Sequence, residues 1–293
     1  MNDEYLAEIK RIVADATAGP ALSDLGNAEA GRLIEALNFD EFASHATAAN
    51  EAVLARLDRY VSLTADLARA MALGARWSAD TVRPIWPALI ERVVASVDRT
   101  QAQTVWADLS LYPGVLLLYA SGIGALLGSR YDNLRAVLVE PRLRYGSEDR
   151  RAAELLHPAA VLDDRRARGF GLPNTFAPVS DRLASDLRPL LIDLVPDDGA
   201  FNRQFDQFEY LLGLVYVDIT TSTWGPTGRF VTNQTAAAAD RVVEAEAREA
   251  GESWPLLAAG AFGGSSERLE ASLTRWRGHI DTVRGQARFF RMR

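Results

Sequence analysis

The sequence predicts an all-α protein, a multi-helix bundle or orthogonal array with one tetratricopeptide-like helical hairpin and at most one small β excursion near residues 220–235. Three observations predict it. Apolar residues recur at three- and four-residue steps through most of the chain, as helices with one buried face require. Gly19-Pro20, Gly74, Pro113, Gly128 and Pro196 to Gly199 punctuate those runs where helices would stop and start. One stretch, TTSTWGPTGRFVTNQT at Thr220 to Thr235, concentrates turn and β-favouring residues.

Leu6, Ile9, Ile12 and Val13 make a short amphipathic helix that Gly19-Pro20 ends. From Asp40 to Gly74, the residues Val53, Leu57, Tyr60, Val61, Leu67, Ala68 and Met71 form one helical stripe, with Gly74 as its stop. After a connection from Trp77 to Pro87, Leu89, Ile90, Val93, Val94 and Val97 begin another helix, and a further one surrounds Val105, Trp106 and Leu109. Pro113 suits the first turn of the next, which runs through VLLLYASGIGALL to a terminal Gly128. Tyr131 to Val139 follows as its partner, and so short a connection favours an antiparallel hairpin.

Asp163 to Asp181, DDRRARGFGLPNTFAPVSD, mixes charge, glycine and proline without periodicity. It divides the chain into an N-terminal helical part, 1–162, a connecting loop, 163–181, and a C-terminal helical part, 182–293, the two parts being free to pack as one domain. Ser180 caps a helix through Leu183, Leu187, Leu190, Leu191 and Leu194. Phe201, Phe205, Phe208, Leu212, Val215 and Ile219 share one face of the next. Two last helices are expected from about Ala236 to Ala250 and from Ser266 onward.

Composition sets the bounds on function. At 293 residues, with 48% apolar and 24% charged side chains, the chain is long and apolar enough for a substantial core. With no cysteine, disulfides, thiolate nucleophiles and cysteine-ligated metals are excluded. MNDEYLAEIKRIV carries acids where an export signal carries basic residues, so a cytoplasmic protein is expected. A net charge of −7 argues against bulk attraction to polyanions. Lys10 is the only lysine, so any mechanism needing one elsewhere is excluded.

Several motifs reduce to structure. Gly122, Gly124 and Gly128 resemble a dinucleotide-binding turn, but the spacing is one residue too long and no strand–helix alternation follows. The uncharged run from Leu109 to Ser129 contains a GxxxG step, yet Pro113-Gly114 interrupts it, so a buried central helix with closely packed glycines is expected rather than a membrane span. His45, His157 and His279 stand in separate elements, and no metal site is expected. No GxSxG elbow and no GK[ST] sequence occurs. Asp163-Asp164 and Asp197-Asp198 read as turn and cap residues. No cofactor is expected, and the balance leans away from an enzyme.

Two arginine-rich features remain. Arg165, Arg166 and Arg168, followed by Gly169 and Gly171, have the guanidinium forks and exposed amides that hold phosphate, although such a run more often solvates a loop. Together with Trp224 and Arg229 they are the candidate site for an anionic small molecule. Near the C-terminus, Arg275, Arg277, Arg284, Arg288, Arg291 and Arg293 accompany Trp276, Ile280, Val283, Phe289 and Phe290 on a basic amphipathic helix. Arg284, Arg288, Phe289 and Arg291 are its candidate partner-binding residues, for a protein, a second copy of the chain or nucleic acid.

Four segments in order carry a resemblance: YPGVLLLYASGIGALLGSRYDNLRAVLVEPRLR at Tyr112 to Arg144, FDQFEYLLGLVYVDI at Phe205 to Ile219, WGPTGRF at Trp224 to Phe230 and GAFGGSSERL at Gly260 to Leu269. They resemble the helical C-terminal region found behind sirtuin-like, TIR-like or Schlafen-type domains in bacterial antiphage-defence-associated proteins. None is a catalytic signature, and no glycine-rich NAD-binding motif stands ahead of Tyr112, so the resemblance brings no NAD-consuming or nuclease activity. It implies a sensing, autoinhibitory or assembly region that works through protein contacts; the residues themselves point to no membrane partner. The alternative is a binder of an anionic small molecule or an enzyme of another class.

Overall fold

The computed structural model of the chain describes residues 3–15, 19–37, 48–77, 83–96, 104–145, 148–235 and 237–291. It is an all-helical multi-helix bundle with one small two-stranded antiparallel sheet. Helices α1 (Asp3–Ala14) and α2 (Gly19–Ala36) pack on α3 (Asn50–Trp77), and α4 (Ile85–Ala95) packs on α2. Gly19-Pro20, expected to end a helix, opens α2, where proline in the first turn lacks only an N–H that would have no partner there. The predicted stripe of α3 is inward: Val53, Leu57, Tyr60, Leu67, Ala68 and Met71 are all buried, and Val61 is half-buried. Asp40 and His45 lie outside the described residues.

After α5 (Thr104–Leu109) comes α6 (Tyr112–Leu127), buried at every position from Tyr112 to Ala125. The stretch from Val105 to Leu127 is long and apolar enough to cross a membrane by length and composition, but its apolar core from Leu109 to Ala125 is buried within the protein at every position. Its neighbours are α3 on one side and α12 (Asp198–Thr220) on another. The glycines decide how close they come. A Cβ at Gly124 would lie 2.1 Å from the Ala72 carbonyl oxygen, and one at Gly128 would lie 2.3 Å from that of Arg76. Two positions four apart on α6 thus meet two positions four apart on α3, backbone against backbone. On another side, a Cβ at Gly122 would lie 1.9 Å from the Phe208 ring.

Gly128 is not the left-handed stop of α6. That conformation falls on Ser129, at φ 51°. The Arg130 N–H donates to the Ala125 carbonyl at 2.8 Å and the Ser129 N–H to that of Leu126 at 3.0 Å, the paired bonds of a Schellman end. The next helix, α7 (Tyr131–Val139), is anchored to α3 by buried Asn133, whose Nδ2 donates to the Ala75 carbonyl at 2.8 Å.

The sheet is not where turn-rich composition placed it. Strands β1 (Arg142–Tyr145) and β2 (Glu148–Arg151) pair antiparallel, Arg142 opposite Arg151 and Tyr145 opposite Glu148. Residues 221–228 are irregular and Arg229–Thr232 form one 3-10 turn. The segment's β-favouring residues have no strand to pair with among the described residues, and its backbone is committed elsewhere. Gly225 lies against Trp276, Gly228 lies against Glu209, and the Arg229 N–H donates to Ser180.

Short helices α8 (Ala152–Leu155), α9 (Pro158–Val161) and α10 (Asp164–Gly169) lead to α11 (Pro178–Leu190). Residues 163–181, expected as a connecting loop, therefore hold α10 and the first turn of α11. The Asp163 carboxylate caps α10 by accepting from the Arg165 and Arg166 N–H groups. Ser180 lies inside α11 and is buried, so it turns inward instead of capping.

Beyond α12 come α13 (Ala239–Ala250), α14 (Pro255–Ala258) and α15 (Ser266–Arg291). Trp276 of α15 is buried in a hollow left by Gly213 and Gly225, where added Cβ atoms would stand 2.2 and 2.6 Å from the indole. One contiguous cluster of buried apolar side chains runs from Ile9 to Val283.

Candidate functional site

Helix α12 carries an acid among its buried residues. Glu209 lies one turn from Phe205 and Leu212 on the face that fills the core, and only 2% of it is exposed. Three elements converge on it. Ser180 Oγ of α11 donates to Glu209 Oε1 at 2.7 Å, and the Tyr119 hydroxyl of α6 approaches the same oxygen at 3.4 Å. Gly228 supplies the floor, since a Cβ there would lie 2.0 Å from the carboxyl carbon. Burial pushes Glu209 up to about 8, with Asp206 adding to the rise while the Ser180 hydrogen bond and Arg229 oppose it.

Arg229 links this interior to the surface. Its N–H donates to Ser180 Oγ at 3.0 Å, while its guanidinium Nε stands 3.2 Å from Asp206 Oδ1 and its Nη2 donates to Asn202 Oδ1 at 3.1 Å. Its guanidinium also lies over the Phe205 ring, 5.5 Å from the centroid. Burial raises Asp206 to about 6, against the pull of Arg229.

Asn202 and Asp206 also belong to the wall of a cleft of about 190 Å³. Helix α12 contributes Asn202, Arg203, Gln204, Asp206 and Gln207; Asn233 and α13, through Val242 and Glu246, form the opposite side. Gln204 Oε1 is buried behind this wall and accepts no hydrogen bond, while Asp206 Oδ1 is buried against the Arg229 guanidinium. A hydrogen-bonded path thus runs from cleft wall through Arg229 and Ser180 to Glu209 beside the central helix.

A second cluster surrounds Trp224, which is 45% exposed. Tyr216, His157 and His279 meet its ring edge-on, with centroids 5.3, 6.1 and 6.2 Å away. Two histidines far apart in sequence therefore flank one indole. Burial holds His157 down to about 4 and lowers His279 as well. Among the described residues no group of three or more histidine, aspartate or glutamate side chains could hold a metal ion.

The structure separates the residues grouped from sequence. Arg166 lies 3.2 Å from Asp163, Arg168 donates to the Thr175 carbonyl at 2.9 Å, and Arg165 is exposed. Trp224 belongs to the histidine cluster, and Arg229 to the Asp206 cleft. On α15, Arg284 holds Asp240 through two hydrogen bonds of 2.7 and 2.8 Å and donates to the Val231 and Asn233 carbonyls, so it faces inward. Arg268 grips Asp218 at 2.6 and 2.8 Å, and Arg277 pairs with Glu244. Arg288 is exposed, with one contact to Gln234 at 3.4 Å, while Phe289 and Arg291 lie outside the described side chains. Glu209, Gln204 and Asp206 were not singled out from sequence, and Ser180 was expected only as a helix cap; an acid on the inward stripe of α12 was the available signal.

No family model matches the chain, and no curated protein or solved structure matches it.

Proposed function

We propose that this protein is a non-catalytic sensor module, in which occupancy of the α12–α13 cleft by a small ligand is transmitted to the helical core and changes how the molecule engages a protein partner or a second copy of itself. The observation that carries the reading is the position of Arg229. Its side chain braces the cleft acid Asp206, and its backbone N–H holds Ser180, which in turn holds Glu209. A ligand that draws Asp206 or Asn202 away from the guanidinium perturbs both ends of that path at once, since coupling requires differential contacts in the two states.

The resemblance to helical regions of antiphage-defence-associated proteins supports a setting in which such a module senses or assembles beside an effector. Size-exclusion chromatography with light scattering, on the chain alone and with the products of neighbouring genes, tests this reading. Val242→Trp, which fills the cleft, is expected to shift the assembly equilibrium relative to the wild type. A chain that stays monomeric and joins no neighbour's product, with or without that substitution, overturns it.

A further inference from the structure

We propose that Arg142 and Arg151, which face each other across the β1–β2 hairpin, form a binding site for a phosphate dianion, free or carried as a terminal ester on a small molecule. The site shares no residue with the α12–α13 cleft.

Strand register brings the two arginines together. Arg142 is the direct partner of Arg151, and directly opposed residues of an antiparallel pair project from the same face. The Ala152 N–H donates to the Pro141 carbonyl at 2.9 Å just beyond them, while the Arg142 N–H donates away from β2, to Glu91 of α4 at 2.6 Å. That pattern marks Arg142 and Arg151 as a non-hydrogen-bonded pair, in which Cα atoms are ~4.5 Å apart and side chains stand closest. Arg144, two residues along β1 and exposed, shares their face.

Such a pair is unfavourable by itself, since like charges directly opposite destabilise a sheet. Elsewhere the chain matches arginines with acids: Arg182 with Asp186, Arg229 with Asp206, Arg268 with Asp218 and Arg284 with Asp240. At the hairpin the nearby carboxylates are engaged by backbone, Glu91 by the Arg142 N–H and Glu154 by the Arg151 N–H at 2.8 Å. Among the described residues no carboxylate is ion-paired with either guanidinium. Arg151 is steadied by donating from Nη1 to the Val139 carbonyl at 3.1 Å, and Arg142 is exposed. Burial lowers the pKa of Arg151, and Arg142 and Arg268 lower it further, against Glu154 and Asp218. Arginine on a sheet edge also deters pairing with other chains, but that role needs no two cations face to face.

Charge and shape select the ligand. Two guanidinium forks on one face present paired donors and two positive charges, and a phosphate monoester brings three terminal oxygens and about two negative charges. A carboxylate fills only one fork. A polynucleotide fits worse, because it carries one charge per phosphate, Asp149 lies opposite Arg144 on the same face, and the chain as a whole stands at −7.

The full chain is titrated at fixed ionic strength with inorganic phosphate, ribose 5-phosphate, acetate and a thymidine oligonucleotide lacking a terminal phosphate, and followed by calorimetry and thermal shift. Phosphate or ribose 5-phosphate is expected to bind and to raise the melting temperature, with acetate weaker by roughly tenfold or more. Arg142→Gln is expected to weaken that binding by roughly tenfold or more, the loss of one charge-assisted pair. Arg241→Gln, at an exposed position of α13, is expected to leave it unchanged. Arg142→Glu is expected to abolish binding and to raise the melting temperature of the unliganded protein, because it turns a repelling pair into an attracting one. Tighter binding of the free ion assigns inorganic phosphate, and tighter binding of ribose 5-phosphate assigns an ester. Silence of both, binding indifferent to the two Arg142 variants, acetate bound as tightly as phosphate, or binding of the oligonucleotide alone overturns the proposal.

Discussion

Ser180 and Glu209 meet inside the protein across a 2.7 Å hydrogen bond, joining α11 to α12 at a point where only 1% and 2% of the two residues are exposed. A carboxyl group in such a place is expensive to ionise, and the expense is measurable.

Glu209, pushed up to about 8 from 4.5, keeps a proton in the native state that the unfolded chain releases. Its contribution to stability is therefore complete below pH 4.5 and is lost as pH rises through 8, with a slope of about 1.4 kcal/mol per pH unit for one proton. Asp206, raised to about 6, acts in the same sense but has finished by then. His157, lowered to about 4, acts oppositely, its share being present above pH 6.5 and lost as pH falls toward 4. Denaturant titrations between pH 6.5 and 8 are expected to show stability declining, and Glu209→Gln is expected to flatten that decline. An unchanged slope in the variant would remove Glu209 as the cause.

Gly228 has extended backbone angles, φ −138° and ψ −155°, that any residue adopts, so the case against a side chain there is purely steric. Gly228→Ala drives a methyl group into the Glu209 carboxyl and is expected to destabilise by ~1–3 kcal/mol, the range for overpacking a filled interior. Chemical denaturation at pH 6 and pH 8 reads both the loss and any change in the titration of Glu209.

The close crossing of α3 and α6 predicts a contrast between glycines. Gly124→Ala is expected to lower the melting temperature, because backbone on α3 cannot retreat as a flexible side chain can. Gly278 lies mid-helix on α15 with nothing within 4 Å of its added Cβ. Gly278→Ala is expected to stabilise by ~0.5–1 kcal/mol through helix propensity alone. Matched calorimetry of the two variants distinguishes them by sign.

Arg284 and Asp240 have side chains only 12% and 10% exposed, and removing one partner strands the other. Arg284→Ala is expected to cost ~3–5 kcal/mol, the range for breaking a buried pair. Arg288→Ala, at an exposed position, is expected to change stability by less than ~0.5 kcal/mol. Partner binding by the C-terminal helix is therefore to be tested at Arg288, where a defect cannot be mistaken for unfolding.

Local periodicity made most helices legible: the α3 stripe, the buried α6 and the aromatic face of α12 follow from three- and four-residue spacing. What spacing could not supply was partnership across the chain. Gly128 reads as a helix stop because glycine commonly adopts the left-handed conformation, yet it is needed for its missing side chain against Arg76, and Ser129 makes the turn instead. Thr220 to Thr235 has the composition of a hairpin, but strand propensity is decided by neighbours, and this backbone serves Ser180, Glu209 and Trp276. The arginines of α15 read as a basic tail because their acids, Glu244 and Asp240, stand 33 and 44 residues away from Arg277 and Arg284. Glu209 passed unnoticed for the opposite reason, as one acid does not disturb an otherwise apolar stripe.

Trp276 has a bearing on how the molecule is made. The hollow under Gly213 and Gly225 is shaped by residues translated well before the indole that occupies it, so this part of the core can be completed only after α15 has been made. Maturation must then finish after synthesis of that helix, and shortened chains lacking it would leave α12 with a greasy slot open to solvent, a foothold for chaperones and for aggregation.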